Sequence, residues 1–269
     1  MSFSISGKTA IVTGAANGVG LAVARHFARK NARVMFADID EARLINEIGE
    51  EAEKQENIAY FAGDLRERLT IANLLSATLD RFDRVDILVN ASRQMTASDP
   101  LNPDDDAVEE LLQQNLMTSL RLSQCIAKRM IRQAAEDGQE EGSQGAIVNL
   151  SSIAARRTHP ELLGYSVSCA ALDQMTRSLA VALAPHRIRV NSVAFGSVLS
   201  ASLKDTLKDH SGYRADIKDH TPLNRIAQPG EVAEAVQFLA SEGARFITGQ
   251  IMTVDGGRTL LDPVNAPAH

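Results

Sequence analysis

A rhythm of short β-branched runs, each followed by a longer segment with helical spacing, restricts this chain more than any other feature. The runs are Thr9 to Thr13, Arg33 to Ala37, Ile58 to Ala62, Ile87 to Asn90, Ala146 to Leu150, Ile188 to Val193 and Ile251 to Val254. Strands that alternate with helices pair in parallel, because each helix carries the chain back to the sheet's starting edge. Ile87-Leu88-Val89 and Ala146-Ile147-Val148 stay apolar without alternation, as strands covered on both faces do. The predicted fold class is α/β, a doubly wound parallel sheet of about seven strands.

The chain has 269 residues, 44% of them hydrophobic, enough to bury a core within one unit. No internal repeat or Pro/Gly/Ser linker divides it, so residues 1–269 are expected to form a single domain. Two stretches break the rhythm. Gln133 to Gln144 is acidic and punctuated by glycine, and reads as a solvated loop. Ser197 to Pro222 is polar, lacks strong periodicity and follows the end of a strand. It reads either as a cover over a ligand site or as an ordinary surface excursion, since open α/β sheets bind ligands at that edge.

A net charge of -6 argues against nucleic acid or anionic lipid as a partner, since both need a basic face. No apolar run approaches the roughly 20 residues that span a bilayer, and the N-terminus lacks a signal peptide's apolar core, so a cytoplasmic location is expected. With Cys125 and Cys169 as the only cysteines, neither a disulfide framework nor a zinc site is expected.

The first run ends in Thr13-Gly14-Ala15-Ala16-Asn17-Gly18-Val19-Gly20 and opens a helix expected over Leu21 to Lys30. Glycines between a strand and a helix allow a tight turn and a close backbone approach to a pyrophosphate, whose charge then sits at the positive helix N-terminus. The second run ends in Asp38, eighteen residues after Gly20. An acid at about that distance accepts hydrogen bonds from an adenosine ribose and repels a 2′-phosphate. Asn17 and Ile39 supply no compensating cation, so NAD is preferred to NADP. Asp38 could instead begin a turn or cap the helix containing Glu41 to Ile48.

With these motifs, residues 5–261 resemble the short-chain dehydrogenase/reductase family and its single Rossmann-type domain. The later text agrees: Pro222-Leu223-Asn224-Arg225, Pro229-Gly230-Glu231-Val232-Ala233, Ile247-Thr248-Gly249-Gln250 and Val254-Asp255-Gly256-Gly257. The resemblance implies a cofactor site of Gly14, Asn17, Gly18, Val19, Gly20, Asp38, Asp64, Leu65, Asn90, Ala91, Tyr165, Val198 and Ser200. Asp64 would lie beside the adenine, Asn90-Ala91 along the adenosine side, and Ser200 near the carboxamide. Asn115 matches the asparagine that holds a proton-relay water. Ser152 and Tyr165, thirteen residues apart, match the catalytic serine and tyrosine. Hydride transfer at a carbinol carbon needs a proton acceptor or donor on the oxygen, and a tyrosine of lowered pKa can serve.

Three positions depart from the family pattern. Cys169 stands four residues after Tyr165, where the family carries lysine, Ser92 stands for a glycine and Phe195 for a proline. The lysine holds the nicotinamide ribose and lowers the tyrosine pKa, and a thiol offers no fixed positive charge. A tyrosine left near its ordinary pKa of about 10 would be roughly 0.1% ionised at pH 7, slowing a tyrosinate mechanism by about a thousandfold. Turnover should therefore be impaired unless another cation takes the lysine's place. Arg156 and Arg157 are candidates, though exposed loop positions suit both better. Cys169 is read as a small buried filler, with a reactive thiol as the alternative.

Two functions fit these features. One is an NAD-dependent oxidoreductase acting on a small-molecule secondary alcohol or ketone, with Tyr165 as acid/base, Ser152 polarising the carbonyl and Asn115 supporting the relay. The other is an NAD-binding protein without turnover, retained as a sensor, scaffold or assembly subunit. The resemblance also implies a homodimer or homotetramer formed through residues 107–132, residues 165–184 and the C-terminal strand.

Overall fold

In the computed structural model the described residues are 2–102, 104, 105, 107–138 and 141–262. Seven parallel strands form one sheet: β1 Thr9–Thr13, β2 Arg33–Asp38, β3 Ile58–Ala62, β4 Ile87–Asn90, β5 Gly145–Ser152, β6 Ile188–Phe195 and β7 Ile251–Val254. Their order is β3-β2-β1-β4-β5-β6-β7, so the chain winds outward one way from β1 and the other way from β4. The carboxyl ends of β1 and β4 therefore diverge into opposite halves and open a crevice between them.

Alternate side chains of each strand serve opposite cores. Ala10, Val12, Val34 and Phe36 pack with Val23 and Phe27 of α1 (Gly18–Arg29), Leu44 and Ile48 of α2 (Glu41–Lys54), and Val236 and Leu239 of α9 (Pro229–Ala240). Ile11, Met35 and Leu88 pack with Leu74 of α3 (Arg68–Phe82), Ile126 and Met130 of α5 (Thr118–Glu136), and Ala180 of α6 (Leu163–Leu183). Burying each such leucine or isoleucine side chain contributes about 1.5–3 kcal/mol. Ahead of α5, α4 (Ala107–Leu111) passes into a π-helical turn, Leu112–Met117, the kind of irregularity that often marks a functional site.

Several expected boundaries shift. β5 and β6 run two residues further than their apolar cores because their ladder continues through Ser152↔Phe195, with both strands buried throughout. α1 begins at Gly18, inside the glycine turn, rather than at Leu21. The acidic loop begins later than Gln133. That residue is buried in α5, where its amide accepts from Val85 N at 3.1 Å and donates to Val85 O at 3.2 Å, and α5 continues to Glu136. Gln139 and Glu140 of that loop lie outside the described residues. The stretch from Ser197 to Pro222 holds two short helices, α7 (Ala201–Asp209) and α8 (Tyr213–Asp219). Ser200 caps the first, its Oγ accepting from Leu203 N at 3.3 Å. Among the described residues, no helix is long and apolar enough to cross a membrane, and no cluster of His, Cys, Asp or Glu is arranged to hold a metal ion.

Candidate active site

Backbone at Gly14 and Gly18 is left-handed, with φ of +63° and +58°. A side chain at Gly14 would strike the Ala91 carbonyl oxygen at 2.8 Å, and one at Gly20 would strike the Gly14 carbonyl oxygen at 2.1 Å. The β1–α1 turn is thus pressed against the end of β4. The Cβ direction of Gly18 instead opens into space, its nearest neighbour being Ser200 Cβ at 3.9 Å. Asn17 sits at the N-terminus of α1 without a side-chain cap, and no acid occupies the first turn, so the positive end of the helix faces outward. Gly14, Asn17, Gly18, Val19 and Gly20 together form a cradle that a diphosphate fits.

Asp38 ends β2 beside this turn. Its Oδ2 accepts from Ala16 N at 2.9 Å and its Oδ1 from Asp40 N at 3.1 Å. The helix-cap role falls to Asp40, whose Oδ1 accepts from Arg43 N at 3.0 Å. Each Asp38 oxygen keeps a free lone pair for a hydroxyl donor. Further along the same edge, Asp64 is gripped by Arg66, with Nη2 to Oδ2 at 2.6 Å and Nε to Oδ1 at 2.9 Å. The Arg66 guanidinium holds that carboxyl below the usual carboxylate range. Leu65 is buried in the core. The Asn90 side chain turns away from the crevice, donating to Ser123 Oγ at 3.0 Å and Asn149 Oδ1 at 2.8 Å. It anchors the sheet to α5, and Ala91 is what backs the glycine turn.

At the other end, β5 delivers Ser152 and α6 delivers Tyr165, both buried. Ser152 Oγ accepts from Ala154 N at 3.1 Å, and the serine hydroxyl lies close enough to the Tyr165 phenol to lower its pKa. Burial pushes the Tyr165 pKa above its ordinary value, opposed by Arg93 and by Ser152. One turn along α6, Cys169 is 3% exposed, and burial pushes its thiol pKa up as well. A buried thiol held protonated fits the filler reading rather than a reactive nucleophile. Asn115 lies in the π-helical turn. Its Oδ1 accepts from Gln94 N at 2.8 Å, and its Nδ2 donates to Gln94 O at 2.9 Å and Ser168 Oγ at 3.1 Å. Its carbonyl accepts from Ser119 Oγ at 3.0 Å. Val198 is buried, and Ser200, capping α7, stands across the crevice from Gly18.

The residue that the sequence reading missed is Arg93. Its Nη1 lies 2.5 Å from Tyr165 Oη, and its guanidinium carbon lies 4.1 Å over the Phe195 ring. Arg156 and Arg157 sit in exposed positions, as expected. Arg156 acts electrostatically on buried Asp173, and Arg157 donates to the Thr259 carbonyl. A signal did exist: Arg93 is three residues beyond Asn90, in the loop that leaves the carboxyl edge of β4.

A family model described as "Enoyl-(Acyl carrier protein) reductase" matches residues 14–259. The L-fucose dehydrogenase of Mus musculus is 34% identical over 261 residues, 95% of this chain and 89% of that protein. The 7alpha-hydroxysteroid dehydrogenase of Escherichia coli K12 is 30% identical over 254 residues, 94% of each chain. A solved structure of a 7 alpha-hydroxysteroid dehydrogenase complexed with NADH and 7-oxo glycochenodeoxycholic acid superposes with a TM-score of 0.84 at 29% identity, covering 95% of this chain and 96% of that one. A gluconate 5-dehydrogenase from Burkholderia cenocepacia J2315, in complex with NADP and tartrate, gives 0.85 at 25% identity, covering 97% and 98%.

Proposed function

Because the chain belongs to the short-chain dehydrogenase/reductase family, we propose that it is an NAD-dependent oxidoreductase interconverting a secondary alcohol and its ketone. The observation that carries this reading is the pairing of Tyr165 and Ser152 on the same sheet edge as the glycine cradle and Asp38. The cradle and the N-terminus of α1 would receive the pyrophosphate, and Asp38 the adenosine ribose hydroxyls. Asp64, Leu65, Asn90 and Ala91 would line or support the adenine side, and Val198 and Ser200 the carboxamide end. Bound there, the nicotinamide supplies or takes up the hydride. The protein's own task is then the proton: Tyr165 exchanges it with the substrate oxygen while Ser152 donates a hydrogen bond to that oxygen.

NAD is favoured over NADP because the Asp38 carboxylate stands where a 2′-phosphate would need a cation, and its neighbour Ile39 is an exposed apolar side chain. Relatives with both cofactors exist, so selectivity is a property of this position rather than of the fold. The same reading carries a homo-oligomer, dimer or tetramer, formed through α5, α6 and the β7 region. There Val167, Val181, Phe246 and Leu260 present exposed apolar side chains.

The test is NADH and NADPH titration by fluorescence, then turnover on a panel including a sugar, a hydroxysteroid and simple cyclic alcohols, native against Tyr165→Phe. NADH binding with turnover lost in Tyr165→Phe is expected. Binding without turnover by the native protein on any member of a broad panel would count against the oxidoreductase reading. Failure to bind either dinucleotide would remove it.

A further inference from the structure

We propose that Arg93 is a catalytic residue: its guanidinium, stacked on Phe195, takes the place of a lysine on α6 and stabilises the negative charge that develops on the Tyr165 oxygen. This rests on the oxidoreductase reading above and names the cation that completes its site. When an alcohol is oxidised, the hydroxyl proton passes to the phenolate oxygen and the carbinol C–H pair leaves as hydride to the nicotinamide. Ketone reduction reverses both transfers. In either direction the phenol oxygen carries partial negative charge at the transition state, inside a pocket whose burial opposes that charge.

The geometry suits an arginine. Arg93 Nη1 donates to Tyr165 Oη at 2.5 Å, and the same nitrogen lies 3.5 Å from the Ser151 carbonyl. Its guanidinium carbon lies 4.1 Å over the Phe195 ring and 5.8 Å from the Tyr165 ring centroid. A planar, weakly hydrated guanidinium can lie on an aromatic face while its edge donates to an oxygen, and it stays charged across the working pH range. Three adjacent strands supply the parts. Arg93 follows β4, Ser152 ends β5, and Phe195 ends β6 in register with Ser152.

Arg93 is also held at its backbone. Thr13 Oγ1 accepts from Ala91 N and from Ser92 N, each at 3.0 Å. Gln114 Nε2 donates to Ser92 Oγ at 3.2 Å, and Asn115 clamps both backbone groups of Gln94. Both chain neighbours of Arg93 are therefore pinned, one by β1 and the π-helical turn, the other by that turn alone, which is the preorganisation an electrostatic catalyst needs. The charged and titratable groups acting on the phenol are Arg93 from the β4 loop and Cys169 from its own helix, with the Ser152 hydroxyl from β5. Behind Cys169 lies the buried Asp173 carboxyl. Arg93 is the cation among them.

The experiment compares native protein with Arg93→Gln and Arg93→Lys. The first readout needs no turnover. With tyrosine labelled at Cζ, ionisation of Tyr165 is followed by NMR against Tyr60 and Tyr213, with Tyr165→Phe for assignment. Arg93→Gln should raise the Tyr165 midpoint by about one pH unit or more, and Arg93→Lys by less. A merely structural Arg93 would leave it unmoved. The second readout is alcohol oxidation: kcat should fall by about thirtyfold or more in Arg93→Gln, a larger change than that in the Kd for NADH. A Tyr165 titration unchanged by Arg93→Gln overturns the proposal. So does a kcat that rises, which would make Arg93 an obstacle in the cleft. A native protein that binds NADH but turns over no alcohol or ketone refutes the oxidoreductase reading and this role with it. Native turnover insensitive to Arg93→Gln refutes the Arg93 role alone.

Discussion

Alanine for glycine at Gly20 and at Gly230 should change stability in opposite directions. Both residues lie in the first turn of a helix, α1 and α9, and in a regular helix the exchange stabilises by about 0.5–1 kcal/mol. Gly230 has nothing within 4 Å of its Cβ direction and is exposed, so the full gain is expected there. At Gly20 the new methyl would lie 2.1 Å from the Gly14 carbonyl oxygen and 2.7 Å from its carbon, roughly 1 Å inside ordinary contact. Gly14 cannot retreat, since its own Cβ direction is blocked at 2.8 Å by the Ala91 carbonyl. The overlap costs toward the upper end of the roughly 1–3 kcal/mol seen for overpacking, leaving a net loss of about 2 kcal/mol. For a chain of this length that is a fall in Tm of about 4–8 °C, against a rise of about 1–4 °C for Gly230→Ala. Differential scanning calorimetry reads both, and NADH affinity should fall about tenfold or more only in Gly20→Ala, where the cradle is displaced. If Gly20→Ala is as stable as native, or both variants move the same way, the account of the turn is wrong.

Asp38→Ala combined with Ile39→Arg should weaken NADH by about 10- to 100-fold and strengthen NADPH, because charged hydrogen bonds worth about 1.5–3 kcal/mol leave with the carboxylate; unchanged relative affinities measured by fluorescence would contradict the assignment. The Arg225 hydrogen bond first, then the Gln228 backbone, lowers the Glu231 pKa from 4.5 to about 2. The folded value is the depressed one, so this contribution is complete above pH 4.5 and is lost as pH falls toward 2. Arg225→Gln should move the Glu231 midpoint upward in carboxylate NMR and narrow acid tolerance in that window, with a stationary midpoint as the contrary result. Asn115→Ala should cost about 1–3 kcal/mol in denaturant titrations and lower kcat more than it weakens NADH, since it frees the loop carrying Arg93. Cys169→Lys should fail to raise kcat while Arg93 is present, because two cations would crowd one phenol, yet restore it in Arg93→Gln; a gain of about tenfold or more in the native background would refute that coupling.

What could be read from the sequence was whatever has a local signature. The centres of all seven strands, the β1–α1 turn and Asp38 follow from apolar runs, glycines and spacing within about 30 residues. Ser152 and Tyr165 were legible only through the family resemblance, which expects such a pair thirteen residues apart. The strand ends were not legible, because the ladder that carries β5 to Ser152 and β6 to Phe195 is decided by each strand's neighbour rather than its own composition. Gln133 read as part of a loop because its glutamine character is polar, while its amide is satisfied by the Val85 backbone across the fold. The helices of the stretch from Ser197 to Pro222 were hidden because they are only 9 and 7 residues long and largely polar, too short to establish a period in the sequence.

Arg93 escaped because its partner is distant in the chain. It is 72 residues from Tyr165, in a segment with no regular secondary structure, and its place three residues after Asn90 marks the carboxyl edge of the sheet without marking the phenol. Taken one at a time, the substitutions the resemblance implies look like losses: no lysine at Cys169, no glycine at Ser92, no proline at Phe195. In the structure each has a counterpart in the placement of one guanidinium. Cys169 keeps the volume beside the phenol small and uncharged, Ser92 accepts the Gln114 amide that pins the loop, and Phe195 provides the aromatic face. A lysine retained on α6 would meet that guanidinium across the same phenol, and two like charges about 4 Å apart repel by about 4 kcal/mol at an effective dielectric near 20. On the role proposed for Arg93, a cation on α6 and a cation on the β4 loop are alternatives at this phenol, and each disfavours the other.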